Sequence, residues 1–172
     1  MSGSCLHAER APDWEALARA ASRPPRGVDG VGALQQLLAV ELDGVPYAIP
    51  VDRVREIVGL CPITPVPRVP AEVRGVISLR GEIVMVIDAR RRLQLPPASP
   101  TRSSRIVVVV GDNGPGAGIL VDAVTAVLRV AEDAFRSATP GEPGAVASLC
   151  RSGDRFVSVI DLGRLLDVDA GF

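Results

Sequence analysis

The chain has 172 residues, of which 47% are apolar but only 3% aromatic, and its formal net charge is −1. This length allows one domain or two small ones with a real hydrophobic core. All 19 basic residues are arginine. The lack of lysine excludes a lysine Schiff base, a lysine general base and a Walker-type phosphate loop. The near-neutral net charge gives no overall attraction to nucleic acid or acidic membranes.

Cysteine and histidine usage argues against a catalytic or metal centre. Cys5, Cys61 and Cys150 are far apart and form no CxxC motif, which is typical of reduced thiols. The only histidine is His7, so no Ser/His/Asp arrangement can be built in the folded part. We therefore expect no enzyme, no metal and no cofactor. The sequence shows no signal peptide and no long apolar run, which predicts a cytoplasmic protein without direct membrane insertion.

Residues 1–33 read as an N-terminal extension. Pro12 and Asp13 are helix start signals, and Pro24-Pro25 ends the helix before a glycine-rich linker. The apolar residues in between recur at helical spacing: Trp14, Leu17, Ala18 and Ala21. This short amphipathic helix could dock on its own domain, dock on a partner or stay frayed.

From Leu34 onward, short apolar runs alternate with turns, which predicts β-structure. Runs 37–42 and 45–50 flank Asp43-Gly44, a hairpin signal. We expect Asp52 to cap a brief helix over 51–58, since Val51, Val54, Ile57 and Val58 would share one face. The proline-rich segment 61–70 predicts an edge strand and a loop.

A second hairpin is predicted over 73–87, around the turn Arg80-Gly81-Glu82. A half-buried arginine between two apolar strands costs free energy unless it is paired, so we expect Arg80 to bond to a binding partner or, as the competing view, to pair internally with an acid such as Glu56. Asp88 then caps a short helix. After a linker over 94–104, run 105–110 leads through the turn 112–114 to further strands and to the final run 153–166.

Two sequence patterns recur in the same order, which indicates an internal repeat. The residues Gly44, Asp52, Val54 and Val58 recur as Gly114, Asp122, Val124 and Leu128, and VIDARRRL from Val86 recurs as VIDLGRLL from Val159. Because barrel closure removes exposed edge strands, we predict a mostly β domain over 34–168 with two small closed barrels of about five strands each, packed together. The first barrel would include 45–87 and the second 105–160.

Three chemical alternatives are weaker than simple structural explanations. Asp88 and Asp161 occupy equivalent places, as in a two-lobed aspartic protease, but no Asp-Thr-Gly-like turn follows either, so helix capping is the better account. The glycine-rich stretch 111–118 lacks Gly-Lys-Ser/Thr and reads as a hairpin turn. The run 90–92 of three arginines could touch phosphates, but without clustered aromatics it reads as a solvated helix face.

The stretch VISLRGEIVMVIDARRRL resembles the CheW-like domain family, whose signature is a Gly-Val-Ile-Asn-Leu-Arg-Gly hairpin followed by an apolar strand ending in Asp-Leu-Arg. The resemblance covers 36–167, where YAIPVDRVREIV, ITPVPRVPAEVRG, RIVVVV, GILVDAV and FVSVIDLGRLL follow in family order. Ser78 stands where asparagine is common, and Ala147-Ser148 where the family has a glycine.

This resemblance implies two five-stranded SH3-like β-barrels packed pseudo-symmetrically around a shared core, with short helices, and a role in chemotaxis signal transduction. Such a stand-alone adaptor couples chemoreceptors, the methyl-accepting chemotaxis proteins, to the histidine kinase CheA. It contacts the receptor cytoplasmic tip and the kinase regulatory domain, pairs end to end in rings that can include self-association, and is recruited to membrane-associated receptor arrays. A nucleic-acid-binding barrel remains the alternative.

The resemblance also implies which residues contact partners. Arg80 matches the motif arginine in the groove between the barrels, where the receptor tip binds. The other positions at or near the receptor and kinase contacts are Gly75, Gly81, Val54, Glu56 and Ile57.

Overall fold

The computed structural model describes residues 33–111, 116–138 and 144–168. The predicted N-terminal helix, its linker and the predicted turn at 112–114 lie outside these residues. The described strands are β1 (Leu34–Leu42), β2 (Val45–Pro50), β3 (Val54–Gly59), β4 (Val73–Leu79), β5 (Glu82–Asp88), β6 (Arg105–Val109), β7 (Ala117–Val121), β8 (Ala123–Ala131), β9 (Phe135–Ser137), β10 (Val146–Ser152) and β11 (Arg155–Ile160). Two short helices, α1 (Ala89–Arg92) and α2 (Leu162–Leu166), follow β5 and β11. The mostly β fold class is confirmed.

The helix caps predicted at Asp88 and Asp161 are both present. The side chain of Asp88 accepts a hydrogen bond from the Arg91 backbone N–H, 3.3 Å away, at the start of α1. The side chain of Asp161 accepts one from the Arg164 N–H, 3.0 Å away, at the start of α2. Each carboxylate thus satisfies a backbone donor that has no partner inside its helix.

The strands form two sheets. Sheet 1 has six strands in the order β8-β1-β2-β11-β10-β9, and sheet 2 has five in the order β3-β6-β7-β5-β4. The expected count of five is therefore correct for sheet 2, while the three-residue strand β9 adds a sixth strand to the edge of sheet 1.

The expected division of the strands between 45–87 and 105–160 is wrong. β2 pairs with β11 in parallel, and β5 pairs with β7 in parallel. As a result the chain begins in sheet 1, builds sheet 2 from β3 to β7, and returns to sheet 1. Apolar alternation identifies a strand and its buried face, but it does not say which distant strand will be its neighbour.

The predicted helix over 51–58 is also wrong. A single 3₁₀ turn spans Val51–Arg53, and Asp52 does not cap it, since its N-cap is Pro50 without a side-chain hydrogen bond. The following residues form β3, which pairs antiparallel with β6. The β-branched residues Val54, Ile57 and Val58 favour a strand once a neighbouring strand can pair with their backbone.

The buried side chains form three clusters. One contains residues of both sheets and both helices, among them Tyr47, Ile49, Val107, Ile119 and Leu165. A second is confined to sheet 1 and includes Leu37, Cys150 and Val157, and a third to sheet 2 with its flanking loop and includes Ile77, Val86 and Ile106. The sheets thus share one core, and each also encloses a smaller core of its own.

Arg90 of α1 ties the two sheets together. Its Nη2 donates to Asp122 Oδ2 at 2.6 Å, and its Nη1 lies 3.1 Å from Asp43 Oδ1. Asp43 lies in the β1–β2 turn of sheet 1, whereas Asp122 lies between β7 of sheet 2 and β8. The Arg90 side chain is only 13% exposed. We call Arg90, Asp43 and Asp122 the Arg90 network.

The interpretation of 90–92 as a solvated helix face is therefore wrong for Arg90, and also for Arg92. Arg92 donates from Nε to the Leu165 carbonyl at 3.0 Å and from Nη2 to the Arg164 carbonyl at 2.6 Å, so it closes the C-terminal end of α2. Arginine is suited to binding the carbonyl groups at a helix end because its planar guanidinium can donate to several acceptors at once.

Candidate partner-binding surface

A groove lies where the two sheets meet. Strand β3 of sheet 2 forms one side, and β1 with β8 of sheet 1 forms the other. Its lining residues are Gln36, Leu38, Val51, Val54, Arg55, Glu56, Ile57 and Val127. We call this the inter-sheet groove.

The groove is apolar at its base because its residues continue the shared core. Leu38 belongs to that core, and Val54, Ile57 and Val127 pack against it while remaining partly exposed. Leu38 and Val127 are direct partners in the β1–β8 ladder. An apolar concavity with charged residues along its rim is typical of a surface that binds another molecule.

Two ion pairs connect β3 with the tip of the β4–β5 hairpin. Arg80 Nη2 lies 3.3 Å from Glu56 Oε2, and Arg55 Nη1 lies 2.7 Å from Glu82 Oε2. We call these the tip pairs. β3 and β4 are the two outer strands of sheet 2. The Arg80–Glu56 pair therefore connects the turn after β4 with the opposite outer strand, and it places Arg80 at the rim of the groove.

The tip pairs differ in exposure: both side chains of Arg55–Glu82 are exposed, whereas in the other pair Arg80 is 78% exposed and Glu56 only 15%. A hydrogen bond from Arg55, together with its charge, lowers the pKa of Glu82, and the same bond raises the pKa of Arg55. Arg55 and Glu82 therefore both keep their charge near neutral pH. An exposed pair such as Arg55–Glu82 contributes little to folding stability, and the exposed guanidinium of Arg80 remains available to a partner.

The expected half-buried Arg80 is wrong, and its guanidinium makes the internal pair with Glu56 that the sequence left open as the alternative to a partner contact. Its side chain is 78% exposed. The reason is the turn, in which Arg80 has φ 50° and Gly81 φ 86°, just beyond the last paired residues Leu79 and Glu82. The guanidinium therefore projects past the strands instead of lying between them.

The structure separates the two glycines that the family resemblance associates with partner contacts. Gly75 lies in β4 with φ 137°, and a Cβ atom there would come within 2.1 Å of the Thr64 carbonyl oxygen. Its lack of a side chain lets segment 61–70 cross β4, where Thr64 and Val76 exchange backbone hydrogen bonds. Gly81 faces open space. Thus Gly81 adjoins the groove rim with Arg80, whereas Gly75 lies apart from the groove lining.

The remaining residues implied by the resemblance come together. Val54, Glu56 and Ile57 all lie on β3 and line the groove, and Glu56 contacts Arg80. Sequence reasoning missed the opposite wall, including Gln36 and Val127, because the pairing of β1 with β8 has no local signal. It also missed the contact of Arg55 with Glu82.

Next to the tip pairs lies an exposed apolar side chain. Ile83 of β5 is 70% exposed, although its neighbour Val84 is buried.

No group of three or more His, Cys, Asp or Glu side chains within the described residues could hold a metal ion. The same part of the chain contains no helix long and apolar enough to cross a membrane. The inter-sheet groove, with an apolar base and charged residues along its rim, can bind another molecule non-covalently.

Comparison with known proteins gives consistent results. The family model of the CheW-like domain matches residues 36–170. The chain is 34% identical over 132 residues to the chemotaxis protein CheW of Rhizobium meliloti strain 1021, covering 77% of this chain and 81% of that protein. It is 30% identical over 140 residues to the chemotaxis protein CheW of Bacillus subtilis strain 168, covering 79% and 89%.

A solved structure is similar in fold as well as in sequence. The crystal structure of the scaffolding protein TtCheW from Thermoanaerobacter tengcongensis superimposes with a TM-score of 0.75 at 28% sequence identity. The match covers 80% of this chain and 95% of that one.

Proposed function

Because this chain belongs to the CheW-like domain family, we propose that it is a chemotaxis adaptor which couples chemoreceptors to the histidine kinase CheA. The coarser part of this statement, a chemotaxis scaffold, rests on the relatives described above. The choice of partners rests on the family resemblance and on the chemistry of the surface around β3.

The observation that carries the proposal is an apolar groove with the exposed Arg80 at its rim. An amphipathic helix can lay its apolar face on residues such as Val54 and Ile57. Arg80 can then form charge-assisted hydrogen bonds with a carboxylate or carbonyl of that helix. The expected occupant is the helical cytoplasmic tip of a chemoreceptor.

The kinase side of the proposal predicts a second contact that leaves the groove free. An adaptor must hold receptor and kinase at the same time, so the regulatory domain of CheA should bind without displacing the receptor tip. Gly81 and the nearby exposed Ile83 are positions where such a contact would avoid the groove base. Through these contacts the chain would join membrane-associated arrays and, in rings, other copies of itself.

A binding experiment with purified partners tests this proposal. The full chain should bind a receptor tip fragment and the CheA regulatory domain of the same organism, each at a stoichiometry near one by calorimetry, and should bind both together. An oligonucleotide and ATP should give no saturable isotherm, because we propose a scaffold without catalytic function. Saturable oligonucleotide binding in place of kinase binding would contradict the adaptor and favour the nucleic-acid alternative.

A further inference from the structure

The inter-sheet groove continues toward the point where the described chain begins. A second concavity shares Gln36 and Val51 with the groove, and it is also lined by Leu34. Leu34 is the first residue of β1 and is largely exposed. The described chain therefore begins directly beside the groove.

The segment that precedes Leu34 carries the kind of surface that the groove would accept. Residues 1–32 precede the described domain, and their sequence predicts an amphipathic helix. Its apolar face consists of Trp14, Leu17, Ala18 and Ala21. Four arginines balance four acidic residues over 1–32, so the segment has no net charge and would bind through apolar contact.

We propose that this N-terminal segment is an internal ligand of the inter-sheet groove, with Trp14 and Leu17 lying against the apolar side chains of Val54, Ile57 and Val127. The segment then occupies the surface on which the proposed function places the receptor tip. The regulatory part of this inference rests on the proposed function, whereas the docking itself does not.

Because the N-terminal segment is covalently linked to the domain, even a weak contact with the groove would give substantial occupancy. Between Ala21 and Leu34 the linker has 12 residues, and a flexible chain of that length has a root-mean-square span of roughly 20 Å. Short flexible tethers give effective concentrations on the order of millimolar. A contact of only about millimolar strength would therefore fill the groove about half of the time.

Occupation by the segment predicts competition with the receptor. The apparent affinity of a ligand falls by the fraction of the protein that is competent to bind it. A groove that is free half to a tenth of the time would bind the receptor tip roughly 2- to 10-fold more weakly than an empty one.

Trp14 allows a direct test in the full chain, because it is the only tryptophan. Its fluorescence should be blue-shifted and protected from acrylamide quenching. Ile57→Glu, in the groove, should expose it, whereas Ile83→Glu, at the 70% exposed position on the hairpin, should leave it protected. A solvent-exposed Trp14 in the unaltered chain would overturn the proposal.

A second pair of variants avoids any risk of unfolding the domain. Leu17→Glu alters the predicted apolar face, and Val28→Glu alters the linker with the same change of charge. By NMR, Leu17→Glu should shift the backbone amides of β3 and expose Trp14, and Val28→Glu should do neither. Unmoved β3 amides with Leu17→Glu would overturn the docking.

The same variants separate this inference from the proposed function. If the receptor tip fragment binds, Leu17→Glu should raise its affinity 2- to 10-fold, and an unchanged affinity would overturn the competition. If the fragment does not bind at all, the proposed function fails, while the NMR and fluorescence results still decide the docking.

Discussion

The tip pairs and the Arg90 network contain the same chemical groups in opposite surroundings. Arg80 is 78% exposed and makes one ion pair with Glu56 at 3.3 Å. Arg90 is 13% exposed and binds Asp122 through Nε as well as Nη2, at 2.9 Å and 2.6 Å, and Asp43 through Nη1. One arginine faces solvent beside a groove, and the other lies inside the contact between two sheets.

The two arginines therefore differ in role: Arg90 stabilises the fold, whereas Arg80 is available for recognition of a partner. A charge that is removed from water must keep its partners, since losing one leaves the other unpaired. A charge that stays in water contributes little to the fold and keeps its capacity to bind a partner. Changing the Arg90 network should therefore cost stability, whereas changing the tip pairs should cost binding.

Gly75→Ala should have the largest effect, and it separates the body of the β4–β5 hairpin from its tip. The new Cβ would lie 2.1 Å from the Thr64 carbonyl oxygen at φ 137°, so steric overlap adds to backbone strain. We expect a loss of about 3–5 kcal/mol in the free energy of unfolding, measured by urea denaturation.

Gly81→Ala is the matched control for Gly75→Ala. Its φ of 86° is also unfavourable, but its Cβ would meet open space. The loss should be about 1 kcal/mol. Equal losses at the two glycines would contradict the distinction between a packed strand and an exposed tip.

Arg90→Ala should lower the free energy of unfolding by about 3 kcal/mol, because it leaves the Asp122 carboxylate without its strongest donors. Arg80→Ala makes the same side-chain change at the tip and should cost only about 1 kcal/mol, because it removes a single ion-pair partner from Glu56, whose side chain is 15% exposed. Chemical denaturation of both variants checks the comparison directly. A larger loss of unfolding free energy in Arg80→Ala than in Arg90→Ala would contradict the assignment of stability to the Arg90 network.

The Arg90 network should also be visible in the pH dependence of stability. Burial by itself raises the pKa of the Asp122 carboxyl, but hydrogen bonds from Arg90 and from the Asp43 amide, with the Arg90 charge, outweigh it and hold the pKa below its usual range. A carboxyl with a lowered pKa stabilises the fold above its unfolded pKa of about 4 and loses that contribution as the pH falls below it.

Asp122→Asn tests this pH dependence. The unaltered chain should lose stability between about pH 4 and more acidic values, and part of that loss should be absent in the variant. Thermal unfolding at a series of pH values measures it. Identical pH profiles would mean that Asp122 titrates alike in the folded and unfolded chains.

The two helix caps should give smaller effects than Gly75→Ala and Arg90→Ala. Asp161→Ala should cost about 1 kcal/mol, as lost N-caps typically do. Asp88→Ala should cost somewhat more, up to about 2 kcal/mol, because Asp88 is buried and also lies 3.8 Å from Arg74. Both proteins should still bind partners, and a folded variant without binding would show that the caps do more than hold the helices.

The features that the sequence predicted well are those set by neighbouring residues. The hairpin turns at Asp43-Gly44 and Arg80-Gly81 have positive φ values, which Gly44 and Gly81 adopt without strain. Asp88 and Asp161 cap their helices because each is followed at once by a short helical run. Local chemistry decides all of these.

The features that the sequence did not predict depend on distant partners. Val54 to Val58 have a spacing that suits a helix face, yet pairing with β6 makes them a strand. Arg90 lies next to two further arginines, and only the approach of Asp43 and Asp122 removes it from solvent. The groove was implied by a family resemblance, while its wall of Gln36 and Val127 required the β1–β8 pairing.

The most direct test of the division between stability and recognition is Arg80→Glu, with binding and melting temperature measured on the same preparation. Arg155→Glu, at another exposed arginine, is the control for the change of charge. Arg80→Glu should weaken binding of a receptor tip fragment at least tenfold, about 1.4 kcal/mol, while its melting temperature stays close to that of the control. An unchanged affinity in a stable Arg80→Glu protein, or a loss of binding that merely follows a fall in melting temperature, would contradict the account.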